Sequence, residues 1–76
     1  MLKKQPQYRI ESLALIRAIE SAGNQTKLAA AIGCKQQYIW QWLNRDGRCS
    51  ARYVLKVERA TGVMRHDLRP DLYPVD

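Results

Sequence analysis

The segment GCKQQYIWQWLN, residues 33–44, carries Gln36, Gln37, Gln41 and Asn44 close together, with Tyr38 and Trp40 interleaved. Each side-chain amide offers an acceptor oxygen and a two-proton donor on one planar group. That arrangement suits a partner presenting a donor and an acceptor side by side, as adenine does at N6 and N7 in the major groove of a duplex. One good bidentate pair of this kind discriminates against a wrong base by ~1–3 kcal/mol. Lys35 precedes the amides, while Arg45, Arg48 and Arg52 follow them. Cations in those places suit phosphates on either side of a groove, which fix register but carry no sequence information.

The amides can act together only if one element holds them on one exposed face. At about 100° per residue, Ile39, Trp42 and Leu43 fall on a single stripe that must point to a core. Gln37, Gln41 and Asn44 cluster opposite, Gln36 sits at the amino-terminal tip, and Tyr38 and Trp40 flank the boundary. The bland alternative is that Gln37 and Gln41 are wetted residues of good helix propensity; the surrounding cations tilt the choice toward recognition. Trp42 reads as core. Trp40 is left with three roles: packing on Tyr38 of the partner subunit, touching a thymine methyl, or covering the edge of the first helix.

The spacing predicts an all-α domain. Leu13, Ile16 and Ile19, with Leu15 beside them, predict a first helix over residues 12–22 that a left-handed Gly23 caps. Asn24 is the expected N-cap of a second helix, whose inward stripe is Leu28, Ala29 and Ile32 and which Gly33 stops. The third helix, residues 36–43, follows almost at once, and two short helices across a glycine turn form a helix-turn-helix pattern. A loop over residues 44–48 is expected to end it. Ser50 should cap a fourth helix, 51–61, facing inward through Val54, Leu55, Val57 and Ala60. A fifth short helix or turn spans residues 66–69, before Pro70. Residues 1–9 read as a loosely ordered basic arm, and residues 10–76 as the domain.

Size and charge narrow the function classes. Seventy-six residues form one domain, which buries roughly 60% of its extended-chain surface and has no room for a deep cleft. Thirteen Lys and Arg against seven Asp and Glu leave a net charge of +6, suited to a polyanionic partner, either nucleic acid or an acidic membrane surface. Eight of the thirteen cations lie between Lys35 and Arg69, around or after the amide segment. No run approaches ~18 apolar residues, and no long apolar stretch follows the basic start, so neither a membrane span nor a secretory signal is expected and the default compartment is the cytoplasm. Cys34 and Cys49 are not in C-x-x-C spacing and His66 is the single histidine, so no metal site or cofactor is expected. An enzyme is not expected either, because no Ser or Cys nucleophile has a candidate base near it in sequence.

Counted from Gln25, the chain resembles the lambda-repressor/Cro class of helix-turn-helix proteins. The class signature asks for a small residue in its fifth place, glycine in its ninth, and apolar residues in its fifteenth and eighteenth. Ala29, Gly33, Ile39 and Trp42 fill them, within a resemblance covering residues 12–69. The segment 18–23, the paired glutamines, Gln41-Trp42-Leu43, Glu58-Arg59-Ala60-Thr61-Gly62 and the tail RHDLRPDLYP (65–74) are similar to YdaS-like (Cro-like) prophage regulators. The resemblance implies a DNA-binding transcriptional regulator, often dimeric on operator DNA, with toxin or antitoxin labels on some relatives. It implies recognition positions at Gln36, Gln37 and Gln41 next to Lys35, and a Gln25 that holds phosphate or supports the first recognition residue. Lys35 departs from a usual Ser or Thr cap, Tyr38 and Trp40 are bulkier than usual, and Met64 stands where a hydroxyl cap is common.

The expected partner is therefore double-stranded operator DNA, with Gln36, Gln37 and Gln41 reading bases and Gln25, Lys35, Asn44, Arg45, Arg48 and Arg52 on phosphates. A domain this small covers few base pairs, so a homodimer is expected, with formation on the operator as one route. Leu68, Leu72 and Tyr73 are its candidate contacts, with folding back over the core as the equal alternative for Leu68 and Tyr73. The rival from another class is an antitoxin or protein-interaction module using the aromatics of helix 3, since aromatic residues dominate interface hot spots. RNA binding ranks third, because A-form grooves exclude a recognition helix.

Overall fold

Helix α1, Ile10–Ala22, lies against three of the other helices, and its inner face takes Leu15, with Ile19 packed beside it, but not Leu13. In the computed structural model, which describes residues 9–75, its buried side chains are Ser12, Ala14, Leu15 and Ala18. Leu13, expected inward, is 46% exposed, and Ile16 is only half-buried. Small residues on the inner face permit close packing against α2, α4 and α5, which bulkier side chains would hold off. The Ser12 hydroxyl adds a reason of its own by donating to the Gly47 carbonyl. Gly23 ends α1 with φ 118° and ψ −53°, outside the left-handed helical region expected for it. The basic arm expected over residues 1–9 lies outside the described residues except for Arg9.

Helix α2, Gln25–Ile32, begins as its sequence requires, with the Lys27 amide donating to Asn24 Oδ1 at 2.8 Å. It buries Leu28, Ala29 and Ile32. Gly33 then takes φ 74° and ψ 39°, and the Cys34 amide donates back to the Ala29 carbonyl at 2.9 Å. A Cβ at Gly33 would meet no atom within 4 Å. The requirement for glycine is thus purely a backbone one, since left-handed φ costs an ordinary L-residue ~1–2 kcal/mol.

Helix α3, Gln36–Gln41, crosses α2 directly after this turn. The chain does not then leave the helix as a loop. It widens into a π-helical turn, Trp42–Asp46, which closes on Gly47 at φ 76°. Asn44 helps to hold that turn, its Nδ2 donating to the Trp40 carbonyl at 3.0 Å. A 3₁₀ turn, Ala51–Tyr53, leads into α4, Val54–Thr61, with the Ser50 hydroxyl accepting from the Arg52 amide. Val54 and Val57 face inward, whereas Leu55 is 39% exposed and Ala60 is exposed, because at about 100° per residue they lie roughly 130° and 90° from the centre of the face that Val54 and Val57 define.

Helix α5 is a single turn, Arg65–Leu68. Met64 offers it no cap, and the missing acceptor comes from the preceding helix: the Arg65 amide donates to the Glu58 carboxylate at 2.8 Å. That bond, with the Arg65 guanidinium beside it, holds the Glu58 pKa below its ordinary value. Leu15, Leu28, Ile39, Val54, Val57 and Leu68 are fully buried between the helices. Burying a side chain of this size contributes roughly 1.5–3 kcal/mol. No strand occurs among the described residues.

Candidate nucleic-acid interface

Ile39, fully buried, and Trp42, 5% exposed, anchor α3 to the core and thereby aim its other side outward. Gln36 and Gln37 are exposed, and Gln41 is half-buried at a groove rim. Gln36 is not free to swing. Its Nε2 donates to Gln25 Oε1 at 2.6 Å, tying the start of α3 to the start of α2. Gln25 therefore braces Gln36, which keeps its oxygen and its second amide proton for another partner. Gln37 and Gln41 make no side-chain hydrogen bond among the described residues, so both ends of each amide are available. Asn44 has already spent one amide proton on Trp40, which leaves it less to give a phosphate.

The cations lie at both ends of this face. Lys35 precedes α3 without capping it through its side chain, and Arg52 stands in the 3₁₀ turn; neither is in an ion pair among the described residues. Arg45 rests on its neighbour Asp46 at 3.2 Å, with 68% of its side chain exposed. Arg48 lies 3.5 Å from Asp71. Gln41, Arg45, Arg48, Ser50, Ala51 and Arg69 help to line an open groove of about 430 Å³ beside α3.

Arg69 and Asp71 were not legible as parts of this region from the sequence. Arg69 is only 9% exposed, and its guanidinium makes two bonds to Asp71: Nε to Oδ1 at 3.0 Å and Nη2 to Oδ2 at 2.8 Å. Its Nη1 donates to the Cys49 carbonyl at 3.1 Å. The segment after α3 is thus pinned from three directions: Ser12 on the Gly47 carbonyl, Arg69 on the Cys49 carbonyl, and the Arg48 amide on the Trp42 carbonyl at 3.1 Å. The two-residue spacing of Arg69 and Asp71 was the available signal. What it lacked was any hint of Cys49, twenty positions away.

The hydrogen bonds from Arg69, more than its charge alone, depress the Asp71 carboxyl from 3.8 to about 2. A carboxyl with a depressed folded-state pKa contributes stability that is complete above its unfolded value and fades as pH falls toward the folded one. The protein is therefore expected to lose stability between about pH 4 and pH 2, with Glu58 acting in the same direction. Urea midpoints measured across that range should fall less steeply in Asp71→Asn than in the parent. Equal slopes would show that Asp71 is not held by Arg69 in solution.

Other candidates sort differently. Tyr38 and Trp40 are 38% and 53% exposed, which leaves both rings open to an outside partner. Leu68 is fully buried and is withdrawn as a dimer contact; Tyr73 packs partly against the core beneath the Arg65 guanidinium, and Leu72 is exposed. Cys49 is a core residue whose thiol burial pushes up to about 12, and partial burial raises Cys34 as well. No helix among the described residues is long and apolar enough to cross a membrane.

Two short helices joined across a left-handed glycine, the second anchored by Ile39 and Trp42, define a Cro-type helix-turn-helix fold. The chain belongs to the family described as bacterial toxin YdaS, whose model matches residues 15–75. It is also similar to a solved structure, the Cro protein from the putative prophage element Xfaso 1 of Xylella fastidiosa strain Ann-1. The two share 34% identity with a TM-score of 0.76, over 82% of this chain and 97% of that one. A search of curated proteins finds no match.

Proposed function

We propose that this chain is a sequence-specific DNA-binding transcriptional regulator of phage or prophage origin. It inserts α3 and the start of its π-helical extension into the major groove of a palindromic operator. The outward placement of Gln36, Gln37 and Gln41 over a helix rooted by Ile39 and Trp42 carries this reading. Gln37 and Gln41 read base edges with unspent amides, and Gln36 does so in the orientation that Gln25 sets. Lys35 and Arg52 grip phosphates directly, Arg45 and Arg48 do so in competition with Asp46 and Asp71, and Gln25 and Asn44 contribute residual polar contacts. Two copies, with α3 helices about 34 Å apart, match one turn of B-DNA. The prophage Cro relative supports this reading, and no catalytic step is part of it.

A second reading has its own observation: the large exposed areas of Trp40 and Tyr38 suit a protein partner, as an antitoxin or interaction module would need. The family's description as a toxin is compatible with the first reading, because a DNA-binding domain made in excess would disturb transcription without any enzymatic activity.

Selection of duplexes from a random pool by the purified protein, followed by titration of variants, tests the proposal. Gln41→Ala should cost ~1–3 kcal/mol at one base position and flatten the preference there. Arg48→Ala should weaken all duplexes alike. An unchanged ranking of operator variants in Gln41→Ala would overturn the base-reading role.

A further inference from the structure

Arg48 precedes the 3₁₀ entry to α4 and Arg52 lies within it, yet the fold treats them differently. Arg52 is exposed and unpaired among the described residues, whereas Arg48 faces a carboxylate. That carboxylate is firmly placed. Asp71 sits in a tight turn after α5, where the Leu72 and Tyr73 amides both return to the Arg69 carbonyl at 3.0 and 2.9 Å. Arg69, almost wholly buried, then holds both Asp71 oxygens. The Arg48 backbone is fixed as well, through its amide on the Trp42 carbonyl. The Arg48 side chain lies between Asp71 Oδ2 on one side and the open groove beside Gln41 on the other.

We propose that Asp71 is a positioning residue that tethers Arg48 and moderates its grip on the DNA backbone. This rests on the DNA-binding reading above and deepens it. In the free protein Asp71 orders the Arg48 guanidinium at the groove rim. On a duplex, a phosphate must share or displace that ion pair, so Arg48 adds less to affinity than an untethered cation would. The carboxylate, 3.5 Å from Arg48, also sets a negative charge beside any phosphate that Arg48 would bind. Both effects act on every sequence alike, and they lower the sequence-independent part of binding without touching the amides on α3. Arg69 is the buried post that keeps the carboxylate in place while also holding the Cys49 carbonyl.

The test is a double-mutant cycle of Arg48→Ala and Asp71→Asn, with binding measured on a selected duplex and on a scrambled one. It is paired with NMR relaxation of the Arg48 Nε–H in the free protein. Asn at position 71 keeps one acceptor for Arg69. Asp71→Asn is expected to tighten both duplexes about three- to tenfold, to steepen the salt dependence by up to about one unit, and to mobilise Arg48. In the Arg48→Ala background most of that gain should vanish. A gain of the same size without Arg48, no gain at all, or an Arg48 side chain equally mobile in both proteins would overturn the tether. A parent protein that binds no duplex at low salt would instead remove the DNA-binding reading, and the proposal with it. If Asp71→Asn does not fold, Arg48→Ala and Arg52→Ala decide the matter: the tether requires the loss at Arg48 to be several-fold smaller.

Discussion

Raising salt from 50 to 200 mM is expected to lower the affinity of this protein for a selected duplex by orders of magnitude, and the size of the fall reports how many domains bind. Each phosphate neutralised on B-DNA contributes about 0.9 to the slope of log affinity against log salt. Lys35, Arg45, Arg48 and Arg52 offer up to four such contacts per domain. One domain would then lose about a hundredfold over that fourfold rise in salt, and two domains on a palindrome about ten-thousandfold. The ion pairs of Arg45 with Asp46 and of Arg48 with Asp71 lower the count below this ceiling, because a cation already neutralised releases fewer counterions. Lys35→Ala and Arg52→Ala should each flatten the slope by nearly one unit per domain. Titrations by fluorescence anisotropy at four or five salt concentrations measure this directly. Affinity indifferent to salt would count against phosphate contact and in favour of the protein-interaction reading.

The helix-turn-helix was legible because its signals are local. Asn24 caps within three residues, Gly33 must take a left-handed φ, and the phases of Ile39 and Trp42 against Gln37 follow from helical geometry. The inner face of α1 was not legible in the same way. Counting large apolar residues selected Leu13, whereas close helix packing selected Ser12, Ala14 and Ala18, and small residues give a weak periodic signal. Ser12 is buried because its hydroxyl meets Gly47, thirty-five positions away. The cap of α5 has the same character, since Glu58 supplies from the end of α4 what Met64 lacks. The candidate interface divides along this line too. Its amides could be placed by phase alone. The state of its arginines could not, because the carboxylate that faces Arg48 is placed by the buried guanidinium of Arg69, which also donates to the distant Cys49 carbonyl.

Two tryptophans two positions apart should respond to truncation in opposite ways. Trp42 is 5% exposed, and its ring lies 5.6 Å from that of Tyr53 at an angle of 41°. Its carbonyl also receives the Arg48 amide that closes the segment after α3. Trp42→Ala removes the ring that packs α3 and its extension on Tyr53 of the 3₁₀ entry to α4, and core substitutions of this kind cost about 3–5 kcal/mol. A domain of this size is stable by only about 4–11 kcal/mol at ~0.05–0.15 kcal/mol per residue. Trp42→Ala should therefore be marginally folded at best, with its urea midpoint far below the parent's. Trp40 is 53% exposed, and Trp40→Ala should stay within about 0.5 kcal/mol of the parent, as surface substitutions usually do. The pair separates stability from recognition on one helix. Trp42→Ala should lose binding in proportion to the fraction unfolded, whereas any binding deficit in Trp40→Ala must come from a contact with the ligand or a partner subunit. Equal losses of stability at the two positions would mean that the helix is rotated from the phase described, and the outward face of Gln37 and Gln41 would go with it.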